Sequence, residues 1–303
     1  MLVDGKWSAE WHPLQAKDAK GGFVRQTSSF RNTVTAEAGR YHLYVALICP
    51  WATRTLIARK LKGLEQVISV SVVEPELDAE GWRFAEGADP VNNARHLHEI
   101  YTAADAHYTG RATVPVLWDK ASRTIVNNES ADILRMMNSG FGALARNAID
   151  LYPQDLRGAI DALNDVVYAK LNNGVYRAGF ATTQAAYEEA FHGVFAMLDE
   201  LEERLASGPW LFGEQLTEAD IRLFVTLIRF DAAYHGLFKV NLRRIADYPN
   251  LSAYVARLLE IPAFRETTNI AHIKRGYYSI KSLNPSGIVP LGPEGPALSG
   301  TGL

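Results

Sequence analysis

The chain reads as an α/β segment followed by an all-helical one, the class α/β plus all-α. Two observations carry this. Between Tyr41 and Met137, β-branched apolar runs alternate with amphipathic helical patterns. After about Asn138 the strand patterns stop and only helical ones follow. A length of 303 residues leaves room for two domains.

Residues 1–40 show no clear period, yet carry Trp7, Trp11, Phe23 and Phe30. A disordered tail rarely holds so many aromatics, so an irregular arm packed on the body is expected. Tyr41 to Leu47 reads as a buried strand. Pro50 to Leu61 reads as a helix: Pro50 suits the first helical position, and Leu56, Ile57, Leu61 and Leu64 form an apolar stripe. Gly63 ends it, and Val67 to Val73 is strand-like, which completes a βαβ unit. Pro75 to Asp89 reads as a loop holding Trp82, and Asn92 to Ala104 as a helix. Thr113 to Asp119 is a strand with Pro115 near its start. Asp119 to Arg123 turns the chain, Thr124 to Val126 returns it, and Ser130 to Met137 is a short helix. This spacing sets one domain at 41–140.

The second domain is expected at 141–283, with Phe141 to Pro153 as a linker. Its helices are placed at Gln154 to Asn172, Thr183 to Ala206, Thr217 to Tyr234, Leu251 to Leu259 and near Ile270. Thr217-Glu218-Ala219-Asp220 has capping-box spacing. Residues 284–303 are rich in Gly and Pro and read as a loose tail.

Composition excludes several classes. At 48% hydrophobic, 21% charged and a net charge of -3, the chain reads as an ordinary soluble protein. It offers no electrostatic reason to bind nucleic acid or an anionic membrane. The start has no apolar leader, and no stretch reaches the apolar length of a membrane span. One cysteine excludes a disulfide framework and fits a reducing, cytoplasmic setting.

That cysteine, Cys49, stands where an apolar run ends and Pro50 opens a helix. Helix N–H groups and the macrodipole favour a thiolate there. With no second cysteine, thiol redox chemistry must take its second sulfur from a small molecule.

Several segments stand in order: Cys49-Pro50-Trp51-Ala52, Gly81-Trp82-Arg83-Phe84, Thr113 to Asp119, Asn127-Asn128-Glu129-Ser130, Asn172 to Phe180, and Leu216 to Arg222. Together they resemble the glutathionyl-hydroquinone reductases, the Xi class of glutathione transferases, over about Gly22 to Gly292. The resemblance implies a glutathione transferase-like fold, with an N-terminal thioredoxin-like domain followed by an all-helical C-terminal domain. It implies reduction of S-glutathionyl-hydroquinones to hydroquinones, with glutathione as co-substrate and glutathione disulfide as product. It also implies a homodimer.

Site residues follow from the residues and the resemblance together. Cys49 is the expected nucleophile. Pro115 forbids one ladder bond, and thioredoxin-like folds place a cis bond before it. By the resemblance, Val114 then pairs with the cysteinyl backbone of glutathione; the plainer reading is an edge-strand proline. The Ser130 hydroxyl and helix N–H groups suit the γ-glutamyl carboxylate, and Glu129 suits its ammonium, although both also fit an ordinary cap. Trp82 is implied to lie flat against glutathione, or is a core aromatic. Arg111 is expected to meet a glutathione carboxylate, or is a solvated loop charge. Tyr176 and Tyr277 match family tyrosines that line the hydroquinone pocket, with Tyr278 adjoining Tyr277 as a substitute. Thr217 and Asp220 read as structural. His96 and His98, two apart on a helix, do not share a face, so no metal is expected. Two other functions use the same residues: an omega-like thiol transferase or dehydroascorbate reductase acting through Cys49, and a non-catalytic transferase-like scaffold.

Overall fold

Leu2–Val3 (β1) and Lys6–Trp7 (β2) pair as a small antiparallel hairpin. It turns through Asp4 and Gly5 at φ of 47° and 73°. Two-residue strands show no alternation, so this ordered pair at the arm's start carries no sequence signal. The computed structural model describes residues 1–9 and 18–294; Trp11 and the tail beyond Glu294 lie outside them. The described residues fall into two compact units, one within Met1–Gln15 and Gln26–Ile149, the other within Ala16–Arg25 and Asp150–Leu303. The segment expected as a single arm is therefore divided between the two.

In the first unit, Tyr41–Val45 (β3) leads through Pro50–Leu61 (α1) to Ile68–Val72 (β4), the βαβ unit that the sequence spacing requires. All five β3 residues are buried, as a continuous apolar run demands of a central strand. Leu77–Asp78 (β5) and Gly81–Trp82 (β6) form a hairpin inside the expected loop. Leu97–Ala104 (α2), Val116–Asp119 (β7), Thr124–Asn127 (β8) and Ser130–Ser139 (α3) complete the unit. The sheet order is β4-β3-β7-β8, with β3 parallel to β4 and the other pairs antiparallel. The register pairs Val45 with Val72, Tyr44 with Val116, and Leu117 with Asn127. Hence the carboxyl ends of β3, β4 and β8 and the amino end of β7 share one edge of the sheet.

Helix α2 starts at Leu97, five positions after the expected Asn92. The Asp89 carboxylate accepts from the backbone N–H of Val91, Asn92 and Ala94, which holds that stretch in a turn. This corrects the histidine reading as well. His96 is not on the helix but is its extended cap residue, at φ -127° and ψ 150°. Its ring stacks on His98 with centroids 5.4 Å apart.

The second unit is helical: Arg157–Val167 (α4), Gly174–Gly179 (α5), Gln184–Arg204 (α6), Glu218–Arg229 (α7), His235–Leu237 (α8), Pro249–Glu260 (α9), Pro262–Arg265 (α10) and Ile270–Tyr278 (α11). Two helices expected to be regular end in wide π turns, Tyr168–Asn172 after α4 and Phe230–Tyr234 after α7. α5 was not expected, because six residues are too few to show a period. α7 is the centre: every residue but Arg222 is buried. Its box forms as the spacing indicates, with Thr217 N–H donating to Asp220 Oδ2 at 2.8 Å. At Gly179 the Phe238 ring comes so near that a Cβ would lie 2.3 Å from it. No helix among the described residues is long and apolar enough to cross a membrane.

Candidate active site

Cys49 is the extended cap of α1, at φ -76° and ψ 118°, with Pro50 in the first helical position. The α1 backbone begins on it, since Thr53 N–H donates to Cys49 O at 3.0 Å. The half-buried Sγ lies 3.6 Å from the carbonyl oxygen of Val114. No acidic residue occupies the first turn of α1. The helix mouth therefore presents positive dipole ends with no like-charge opposition to a thiolate.

Val114 precedes a cis peptide bond to Pro115. Its neighbour Thr113 is held at both backbone groups by one phenol. Tyr101 OH donates to Thr113 O at 2.8 Å and accepts from Thr113 N–H at 3.2 Å. Asn128 Nδ2 also donates to that hydroxyl, at 3.1 Å. Tyr101 is fully buried, and burial pushes its phenol up to about 12. It stays neutral and ties the Val114 loop to the residues before α3. The sequence reading missed it; its only signal was an aromatic on the apolar side of a helix.

Glu129 caps α3, its Oε1 accepting from Ala131 N–H at 3.2 Å. Ser130 is buried, and its Oγ lies 3.4 Å from Glu129 Oε1. Ser28 Oγ donates to Glu129 Oε2 at 3.0 Å, a partner with no sequence signal. An anion at this mouth would meet helix N–H groups and the Ser130 hydroxyl; an ammonium would meet the carboxylate. By register, Cys49, Val114 and Glu129-Ser130 all stand at the same sheet edge. Arg111 lies on the loop between α2 and β7. Trp82 ends β6, half-buried. Arg111 is fixed through its backbone, N–H to Gln26 Oε1 at 3.1 Å and carbonyl from Tyr108 OH at 3.2 Å.

The second unit gathers three phenols. Tyr176 on α5 lies 2.5 Å, oxygen to oxygen, from Tyr277 on α11. Tyr277 is 2.9 Å from Tyr234, at the end of the π turn after α7. Burial first, then the neighbouring phenols, pushes Tyr277 well above the usual phenol range. Burial does the same for Tyr234. Both are neutral hydrogen-bonding groups at any physiological pH. Tyr176 is less buried and so forms the open end of the chain. The Arg25 guanidinium covers its ring at 4.8 Å and donates to Asn173 Oδ1 at 3.1 Å. Tyr277, not Tyr278, joins this cluster; Tyr278 is half-buried beside Gly236. Tyr234 was not anticipated.

A thioredoxin-like sheet bearing a cysteine at its first helix, with a separate helical unit, defines a glutathione transferase. The family models agree: "Glutathione S-transferase, N-terminal domain" matches residues 48–139 and "Glutathione S-transferase, C-terminal domain" matches residues 184–257. The glutathionyl-hydroquinone reductase PcpF of Sphingobium chlorophenolicum is 52% identical, over 98% of this chain and 97% of its own. Among solved structures, the glutathione-S-transferase Xi of Phanerochaete chrysosporium is 51% identical with a TM-score of 0.88, over 91% of this chain and 94% of its own. The glutathione-bound YqjG of Escherichia coli K-12 is 48% identical with a TM-score of 0.87, over 98% and 96%. The chain belongs to the glutathionyl-hydroquinone reductases, the Xi class of glutathione transferases.

Proposed function

We infer that this enzyme reduces S-glutathionyl-hydroquinones to hydroquinones, consuming glutathione and releasing glutathione disulfide. The observation that carries the mechanism is Cys49 Sγ at the mouth of α1 beside the Val114 carbonyl. The Cys49 thiolate attacks the glutathionyl sulfur of the substrate. The bond from that sulfur to the ring carbon breaks, its electron pair stays on the ring, and a proton reaches that carbon as hydroquinone leaves. An aromatic carbon is a poor leaving group, so the ring reacts as its keto tautomer. Cys49 is then in a mixed disulfide with glutathione. A second glutathione thiolate attacks the glutathionyl sulfur, giving glutathione disulfide and restoring the Cys49 thiolate.

The tripeptide is assigned to Val114 through its cysteinyl backbone, to Ser130 and Glu129 through its γ-glutamyl end, to the Trp82 face and to Arg111. Tyr176 is assigned to a quinol hydroxyl, with Tyr277 behind it passing on the hydrogen bond. The enzyme works as a homodimer in the cytoplasm on this reading, which the family resemblance supports. An omega-like thiol transferase activity at the same cysteine is the alternative.

A panel of glutathionyl-hydroquinones set against a mixed-disulfide substrate, with wild type and Cys49→Ser side by side, tests the assignment. The serine variant should lose at least about 10³-fold in turnover. Wild type treated with glutathione disulfide should gain one glutathione in mass, and the variant none. A variant that still reduces the quinol conjugates would remove Cys49 from the mechanism.

A further inference from the structure

The β5–β6 hairpin and the start of α2 bring together donors that the reductase chemistry does not use. Glu80 Oε2 lies 3.3 Å from His98 Nε2 and 3.9 Å from His96 Nδ1. The three ligand atoms all fall within 4.8 Å of one another. Tetrahedral zinc at about 2.0–2.1 Å from nitrogen and oxygen places its ligand atoms roughly 3.4 Å apart. The Glu80–His98 spacing is already near that value, and closing the other two requires an imidazole to turn out of the near-parallel stack in which His96 and His98 lie. The far nitrogen of His96 is also provided for. Its Nε2 pairs with Asp78 Oδ2 at 2.9 Å. A carboxylate on the second nitrogen fixes the tautomer that keeps the Nδ1 lone pair, which an ion would take over from the Glu99 backbone N–H of the capping box.

We propose that Glu80, His96 and His98 form a zinc-class divalent metal site, with Asp78 orienting His96. Two imidazoles and one carboxylate suit zinc, nickel or copper rather than calcium or magnesium. Entry is open: the Glu80 side chain is 55% exposed, while the histidines are 14% and 12% exposed and so held in place. Trp7 fixes the other side. Its ring stacks on His98 at 4.9 Å, and its Nε1–H donates to Ala79 O at 3.0 Å. A bound ion would fasten the turn of the β5–β6 hairpin to α2, and Trp82 is the last residue of that hairpin.

Equilibrium dialysis of tag-free protein against zinc chloride tests this. It is done in a Cys49→Ser background, so that the thiol takes up no ion. One zinc per chain is expected at micromolar free metal. His98→Gln should abolish uptake, and Asp78→Asn should weaken it by about 10- to 100-fold. Glu80→Gln, at an exposed side chain, gives the same test without a folding risk. Absence of stoichiometric uptake, or uptake unchanged in His98→Gln and Glu80→Gln, overturns the proposal. The second result would mean an adventitious ion only.

Discussion

Tyr277 stands between two other phenols, and its burial decides what it can do. A phenol held neutral cannot serve as a base at physiological pH, but it can pass on a hydrogen bond. Tyr176 is the member of the chain left accessible, so it is the one expected to meet a quinol oxygen. Tyr176→Phe removes that hydrogen bond and should lower kcat/KM for a glutathionyl-hydroquinone by about tenfold. Release of glutathione from the Cys49 mixed disulfide should be unaffected, because no quinol takes part in that step. Rapid mixing that resolves the two half-reactions checks this; equal loss in both would show that Tyr176 only supports the fold. The helix mouth at Cys49, the break before Pro115 and the cap at Glu129-Ser130 were readable in the sequence because each is a local event. Tyr234 and Tyr101 were not. Their roles come from contacts 43 and 12 residues away, which no local pattern encodes.

At the scale of elements, α7 shows how a short motif reaches beyond its own helix. Asp220 is fully buried, and its carboxylate accepts from Thr217 N–H, Leu211 N–H and Tyr254 OH at 2.8, 2.9 and 2.9 Å. The capping box therefore also ties the preceding loop and α9 to α7. Asp220→Ala leaves four buried donors, the Thr217 hydroxyl among them, without this acceptor and should cost about 3 kcal/mol or more. In a chain of this size that is a fall in Tm of roughly 5 °C. Turnover per folded molecule should be unchanged; a loss of turnover without loss of Tm would make Asp220 part of the chemistry instead. The box was plain in the sequence because its spacing is fixed by helix geometry. The π turns after α4 and α7 were hidden, because one extra residue in a turn leaves the apolar periodicity nearly intact. Yet they matter: the first leads into α5 and Tyr176, and the second ends on Tyr234.

Across the whole molecule, the change from mixed to helical structure was evident from where the strands stop. The boundary between units was harder to place. The chain stays with the first unit to Ile149, because Lys62 Nζ donates to Ile149 O at 2.6 Å and Asn147 Nδ2 to Leu61 O at 2.9 Å. Such long-range bonds leave no composition signal. Global stability against pH carries a similar hidden term, at His42. This residue of β3 is fully buried, its Nδ1 2.7 Å from Ser69 Oγ and its ring edge-on to Tyr44 at 4.6 Å. Its Nε2 has no hydrogen-bond partner among the described residues. Burial pushes the imidazole from 6.5 down to about 4, and Lys120 and Arg59 push the same way against Asp89. Between those two pH values the unfolded chain binds a proton that the folded chain refuses. Stability is therefore full above pH 6.5, declines as the pH falls through that window, and has lost about 3 kcal/mol by pH 4. Further acid adds to the loss, because Arg40 holds the Asp119 carboxyl well below the usual carboxylate range, and that pair breaks only when Asp119 is protonated. Urea denaturation at half-unit steps from pH 7.5 to 4 measures the slope. His42→Gln should flatten it while lowering stability at pH 7.5, and a wild-type curve already flat from 6.5 to 4.5 would mean that His42 accepts its proton in the folded state.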